Sequence, residues 1–318
     1  MMGPIVVATD GTPQSDAALR VASEIARHDH RHVWVLTVVP PLSVALPHLQ
    51  THWSGPRLEA RREFALVQAR EQVTRVTGCT SWPTVAEEGI PATVIAGFAA
   101  DIHASLIIVG MCRHGIVDRL AGAATTLALV RQATTPVLVA TPWLAWPPRR
   151  VVVAMDYSPA SDAALHLAND VVAPDGMLEV VTVEERDRRW ARAVPHEARR
   201  HPRLERVLAR FSNTGSHRVT RRVLAGDPVA RLLESVVAET ADVIVTGPRQ
   251  GEVLGRMLRG EVTSTLLQRA PCALLAVPEG AVAHLSATGA SSGTSTHDRL
   301  YARGGGDEST PLHPSDSR

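Results

Sequence analysis

Two stretches of this chain share one layout. Residues 106–140 read LIIVGMCRHGIVDRLAGAATTLALVRQATTPVLVA, and residues 241–277 read ADVIVTGPRQGEVLGRMLRGEVTSTLLQRAPCALLAV. Each is an apolar run ending on glycine, a turn, a helical segment and a second apolar run. Gly110 stands 137 positions before Gly247, and Val137 stands 137 positions before Leu274. A period that survives a whole strand, turn and helix marks a duplicated unit. A strand that ends on glycine ahead of a helix is also where α/β sheets receive ligands.

The duplication extends outward. Residues 5–8 form a short apolar strand followed by Asp10-Gly11-Thr12-Pro13, and residues 151–155 form another followed by Asp156-Tyr157-Ser158-Pro159. Ser15 or Asp16 can cap the first helix, whose apolar positions Ala18, Val21, Ala22 and Ile25 recur at helical spacing. Strands are expected at 33–39 and 82–86, with a long amphipathic helix at 57–77 between them. Gly89-Ile90-Pro91 and Gly226-Asp227-Pro228 each open a further helix, with proline early, where its missing N–H does no harm. Alternation of five strands with four helices implies, per repeat, one parallel sheet covered by helices on both faces. The chain therefore divides into a first domain at 1–142, a linker at 143–149, a second domain at 150–278 and a tail at 279–318. The tail is rich in Ser, Thr, Gly and His and reads as disordered. Pro147 and Pro148 stiffen the linker, and Trp143 and Trp146 are expected to cover an inter-domain seam.

Composition narrows the function. The 318 residues suit two ordinary domains, and aromatics at 3% leave the cores to Val, Leu, Ile and Ala. All 33 basic residues are arginine, so no phosphate loop ending in Gly-Lys-Ser/Thr and no lysine Schiff base can exist. The formal charge of +1 offers no general attraction for nucleic acid or an anionic membrane. Three scattered cysteines, Cys79, Cys112 and Cys272, argue for a reducing cytoplasm, and the N-terminus reads straight into a strand rather than a signal peptide. No apolar run approaches the ~20 residues of a membrane helix.

Asp-Gly/Tyr-Thr/Ser-Pro after the first strand, Gly-x-Pro before the third helix, and a strand-glycine turn closing in a proline-led strand occur in the same order twice. In this the chain resembles the universal stress protein family in its tandem two-domain form, along roughly 4–142 and 150–278. The resemblance implies two Rossmann-like domains, often dimeric through the last strand. It also implies that some members bind ATP, through the aspartate after the first strand and a Gly-x2-Gly-x9-Gly-Ser/Thr pattern after the fourth.

Carried over to this chain, the candidate nucleotide contacts in repeat 1 are Asp10, Gly11, Val38, Gly110, Arg113, Gly115, Gly122 and Thr125. In repeat 2 they are Asp156, Gly247 and Gly260. The chain departs from the pattern. Its second glycine falls on Arg113 and on Gln250, and its closing pair falls on Ala123-Ala124 and on Gly260-Glu261. Arg113, His114 and Arg119 can offer positive charge to a phosphate, whereas Glu261 repels one. Repeat 1 is thus the better ATP candidate. The alternative for each aspartate is that it only caps the following turn.

Other features read as structural. His28, His30 and His32 with Asp29 form a polar helix end without the spacing of a closed zinc site, so no metal is expected. The arginine-rich stretch 186–222 is interleaved with acids and reads as a solvated helix rather than a nucleic-acid surface. No nucleophile elbow or paired-carboxylate signature is found, and an enzyme is not expected. The expectation is a cytoplasmic stress-response module that takes an adenine nucleotide in repeat 1, with a ligand-free interaction scaffold as the alternative. Its two repeats are expected to pack as a pseudo-dimer through strands 137–140 and 273–277. A homodimer is possible on the same logic, and the protein partners are unknown.

Overall fold

The computed structural model describes residues 3–41, 56–111, 116–184, 202–210, 216–248, 261–279 and 281. Repeat 1 runs β1 (Ile5–Thr9), a 3-10 turn (Pro13–Ser15), α1 (Asp16–Asp29), β2 (Val33–Val39), α2 (Pro56–Thr77), β3 (Thr84–Glu88), α3 (Pro91–Asp101), β4 (Leu106–Gly110), α4 (Ile116–Gln132) and β5 (Val137–Ala140). Repeat 2 runs β6 (Arg150–Ala154), α5 (Pro159–Val171), β7 (Met177–Glu184), α6 (Pro202–Arg210), β8 (Arg218–Ala225), α7 (Pro228–Ala238), β9 (Val243–Thr246), α8 (Glu261–Arg269) and β10 (Ala273–Ala276).

The strands are runs of β-branched residues buried on both faces, as parallel strands under two helical layers must be. Within each repeat every pairing is parallel, and β1 lies between β2 and β4 as β6 lies between β7 and β9. The two halves form one ten-stranded sheet in the order β3-β2-β1-β4-β5-β10-β9-β6-β7-β8. They meet where β5 and β10 pair antiparallel, Leu275 opposite Leu138 and Leu274 opposite Val139. Side-chain alternation builds two cores. Ile5 and Val7 face one layer with α1 and α5, while Val6 and Ala8 face the other with α3, α4, α7 and α8. Both cores run without interruption through residues of both repeats.

Helix ends follow local chemistry. Pro91 and Pro228 take the first turns of α3 and α7, and Asp227 caps α7 by accepting from Ala230 N–H at 2.8 Å. His30 closes α1 in the left-handed region at φ 52°.

The linker is tied down rather than loose. Arg20 donates to the carbonyls of Leu144 at 2.8 Å and Pro142 at 2.7 Å, and Trp146 N–H donates to Glu24 at 2.9 Å. Leu144 is buried and Trp146 packs against the core beside it. Trp143, however, is 60% exposed, so it does not cover a seam. Instead Leu144, the smaller neighbour, is the residue drawn into the core. Ala281, assigned to the tail, is also buried, its N–H bonded to Pro278 at 3.0 Å. The rest of the tail lies outside the described residues. The third strand begins two residues later than the pattern suggested, after Pro83 has accepted from Val35 N–H at 2.8 Å.

The sheet's outer edges are β3 and β8. On β3 the ladder alternation turns the Ala86 carbonyl outward, where Arg62 donates to it twice, at 2.8 and 3.1 Å. On β8 the Ala225 carbonyl also faces outward and accepts from Arg231 at 3.0 Å. Both guards are arginines reaching from a helix to an edge carbonyl.

Candidate functional site

In a sheet of this order the strand order reverses between β1 and β4, and their carboxyl ends define the crevice. Asp10 and Gly110 lie there. Thr9 pairs with Thr37, which places Val38 beside Asp10 on the neighbouring strand. The equivalent crevice of repeat 2 holds Asp156 and Gly247.

Asp10 is exposed and organises its own turn. Its Oδ1 accepts from Thr12 N–H at 3.0 Å, Thr12 Oγ1 at 2.6 Å and Ser15 Oγ at 3.1 Å. Among the described residues its Oδ2 accepts from none. The turn holds Gly11 at φ +79°, a region that glycine enters without steric cost. Asp156 accepts from Ser158 N–H at 2.9 Å in the same arrangement.

The fourth-strand glycines have a different reason to exist. A Cβ on Gly110 would stand 2.4 Å from the Gln14 carbonyl, and one on Gly247 would stand 2.3 Å from the carbonyl carbon of Ala160. The 3-10 turn ahead of α1 and the start of α5 rest directly on these residues. Close backbone packing alone therefore accounts for both.

Sequence reasoning missed the residue that holds the repeat 1 turn. Gln72 of α2 is 3% exposed, and its Nε2 donates to the Thr12 carbonyl at 2.7 Å and to Asp16 Oδ1 at 2.6 Å, while its Oε1 accepts from Thr9 Oγ1. Arg75, one turn on, pairs with Asp16 at 2.8 and 2.9 Å. Burial raises the Asp16 carboxyl, but hydrogen bonds from Arg75 and Gln72 outweigh it and leave the pKa below the usual value. The clue was available: Gln72 falls on the stripe Ala69, Gln72, Val73, Val76, where a polar residue must find partners inside. Gln68, one turn earlier on α2, is exposed and stands 3.3 Å from where a Cβ on Gly11 would be.

Repeat 2 differs where Gly11 is replaced by Tyr157. This tyrosine adopts φ +64° and is partly buried against the core. Burial pushes its phenol pKa up, opposed by a hydrogen bond with Thr182. A bulky ring packed against the core thus stands in repeat 2 where repeat 1 has only a glycine.

The helix after β4 begins at Ile116, so Gly122 and Thr125 lie in its second and third turns. Their backbone N–H groups fall within the helical ladder, and only first-turn N–H groups remain for an anion. In repeat 2 the corresponding helix begins at Glu261, immediately after the position of Gly260. Arg113, Gly115 and Gly260 lie outside the described residues, as do Cys112, His114 and Gln250. Among the described residues no group of three or more His, Cys, Asp or Glu is placed to hold a metal ion. No helix among them is long and apolar enough to cross a membrane.

The model of the universal stress protein family matches the chain twice, at residues 1–141 and 148–278. The chain belongs to the universal stress protein family, in tandem form. A universal stress protein from Mycolicibacterium smegmatis is 26% identical over 295 residues, covering 86% of this chain and 96% of that one. The crystal structure of a universal stress protein from Archaeoglobus fulgidus covers 87% of this chain and 96% of its own, with a TM-score of 0.64 at 17% identity. A further universal stress protein structure, in complex with cAMP, covers 43% of this chain at 22% identity and a TM-score of 0.32. The α/β architecture read from the double register is thus the fold of this family.

Proposed function

We propose that this universal stress protein is a stress-response binding module without turnover, and that its first repeat takes ATP or another adenine nucleotide at the carboxyl ends of β1 and β4. One observation carries the asymmetry. At the turn after the first strand, repeat 1 has Gly11 beside an Asp10 whose Oδ2 is open, whereas repeat 2 has the half-buried ring of Tyr157. An exposed carboxylate fixed by its own turn is a ready acceptor for ribose hydroxyls or a base amino group. The exposed amide of Gln68 adds a donor and an acceptor over the same turn.

Isothermal titration of ATP into the wild type, Asp10→Ala and Gly11→Tyr tests this reading. The wild type gives a binding heat. Asp10→Ala weakens affinity about tenfold to a hundredfold, the scale of a lost hydrogen bond to a charged group. Gly11→Tyr, which copies repeat 2, abolishes the heat. Identical heats from all three proteins, or none from the wild type, would sink the reading.

The second reading is a ligand-free scaffold. The start of α4 at Ile116, which takes the Gly122 and Thr125 amides into a helix, favours it. Mass spectrometry of the denatured purified protein discriminates: a co-purified adenine nucleotide counts against the scaffold.

A further inference from the structure

The duplication allows residues of the two repeats to be compared pairwise, and one pair is exchanged in kind. Trp34 lies opposite Val6 on β2, and Glu179 lies opposite Val152 on β7. Val6 and Val152 correspond, because each precedes the strand-end aspartate by four residues. Helices α3 and α7 correspond in the 137-residue register, so Phe98 matches Ser235. In repeat 1 the two positions meet directly. The rings of Trp34 and Phe98 pack edge to face with centroids 5.9 Å apart.

In repeat 2 the same two positions hold a carboxylate and a hydroxyl, Glu179 at 4% and Ser235 at 1% exposure. Glu179 Oε1 lies 3.0 Å from Arg222, whose guanidinium also reaches Glu239 at 2.6 Å. The other oxygen, Glu179 Oε2, and the Ser235 hydroxyl have no hydrogen-bond partner among the described residues. The surrounding side chains of that core, Val152, Val181, Leu232 and Val236, are apolar and offer none. Two buried polar atoms without partners, at positions whose counterparts touch, point to a shared third party.

We propose that repeat 2 holds an internal hydration site between β7 and α7, in which a water bridges Glu179 Oε2 and Ser235 Oγ. The water donates to the carboxylate and completes its bonding with the hydroxyl, within the two to four polar partners that keep a buried water in place. Two large rings have given way to two short side chains, which leaves the room. The ligand is neutral, because the Arg222 guanidinium already supplies the positive charge beside Glu179. Repeat 1 has no such site, since its aromatic pair fills the space. The bridge makes Glu179 a fully satisfied acceptor and so fixes Arg222, the side chain that ties β8 to the end of α7.

The test uses the full-length protein. A high-resolution crystal structure is expected to show one ordered water within hydrogen-bond distance of both oxygens. A dry, closed contact there overturns the proposal. Ser235→Ala gives a second readout. Alanine is the better helix former, and deleting a hydroxyl that bonds nothing is neutral or stabilising. A bridging role therefore predicts a lowered urea midpoint for this variant, and a midpoint unchanged or raised overturns the proposal.

Discussion

A single methyl group separates the two kinds of glycine in this chain. At Gly110 and Gly247 it would stand 2.4 Å from the backbone of the 3-10 turn ahead of α1 and 2.3 Å from that of α5, which cannot step aside. Gly110→Ala and Gly247→Ala should each destabilise by about 1–3 kcal/mol or more, the scale of overpacking. Gly97, inside α3, has nothing within 4 Å of the same atom. There alanine should stabilise by about 0.5–1 kcal/mol through helix propensity. Urea midpoints of the three variants check both signs. Two carboxyls supply a second contrast. Burial raises Glu179, an effect that Arg222 opposes and Glu239 reinforces, whereas Asp16 is lowered. A raised acid contributes stability below its unfolded pKa and loses it as pH climbs through the folded value. Glu179→Gln should therefore remove this loss, so that the variant's stability falls less than the wild type's as pH climbs from acid to neutral. A lowered acid behaves oppositely. Asp16→Asn should lose stability at neutral pH, the loss vanishing as pH falls through the folded pKa. Thermal melts across acid to neutral pH read both. Asp10 and Gly110 were visible in the sequence because each ends a strand. Glu179 was not, because one of the two acids in LEVVTVE looks like any edge polar until its neighbours are known.

Helix α2 shows how one element sets a site that others carry. Its buried Gln72 joins Thr9, Thr12, Ser15 and Asp16, four residues of the strand, turn and first helix. Gln72→Ala would leave several of these groups without partners, and about 1–3 kcal/mol of stability should be lost. Hydrogen exchange should rise in α2 and in the 10–16 turn together. Equal loss spread over the whole chain would contradict that local role. Elements marked by period and punctuation were readable at the sequence level: apolar runs, Gly-x-Pro starts, the glycine after the fourth strand. The start of α4 was not. Residues 116–123 carry the remnants of a glycine pattern, yet Ile, Leu, Arg and Ala favour helix, and the helix claims them.

At the scale of the molecule, the pairing of β5 with β10 places a ladder of three residue pairs in the middle of a ten-stranded sheet, with both cores continuous across it. Neither half can melt without exposing the inner strand of the other. Calorimetry should show one transition, with calorimetric and van't Hoff enthalpies equal. Leu275→Lys, which puts a charge into the fully packed centre of the seam, should split it into two. The register of the duplication made the two-repeat architecture readable, and the expected contact through 137–140 and 273–277 came from the family resemblance and the open edge of each last strand rather than from any local pattern.

The arginines on the two outer strands bear on how large such a particle can grow. A sheet that has already accepted a second half at β5 has shown that its strands will take a partner, and β3 and β8 remain as ends of the same material. Arg62 and Arg231 occupy an outward carbonyl on each. They act as terminators: what duplication joined once, these side chains keep from being joined indefinitely. The double variant Arg62→Ala/Arg231→Ala should keep its fold by circular dichroism while gaining concentration-dependent light scattering, a bounded molecule turned into a repeating unit.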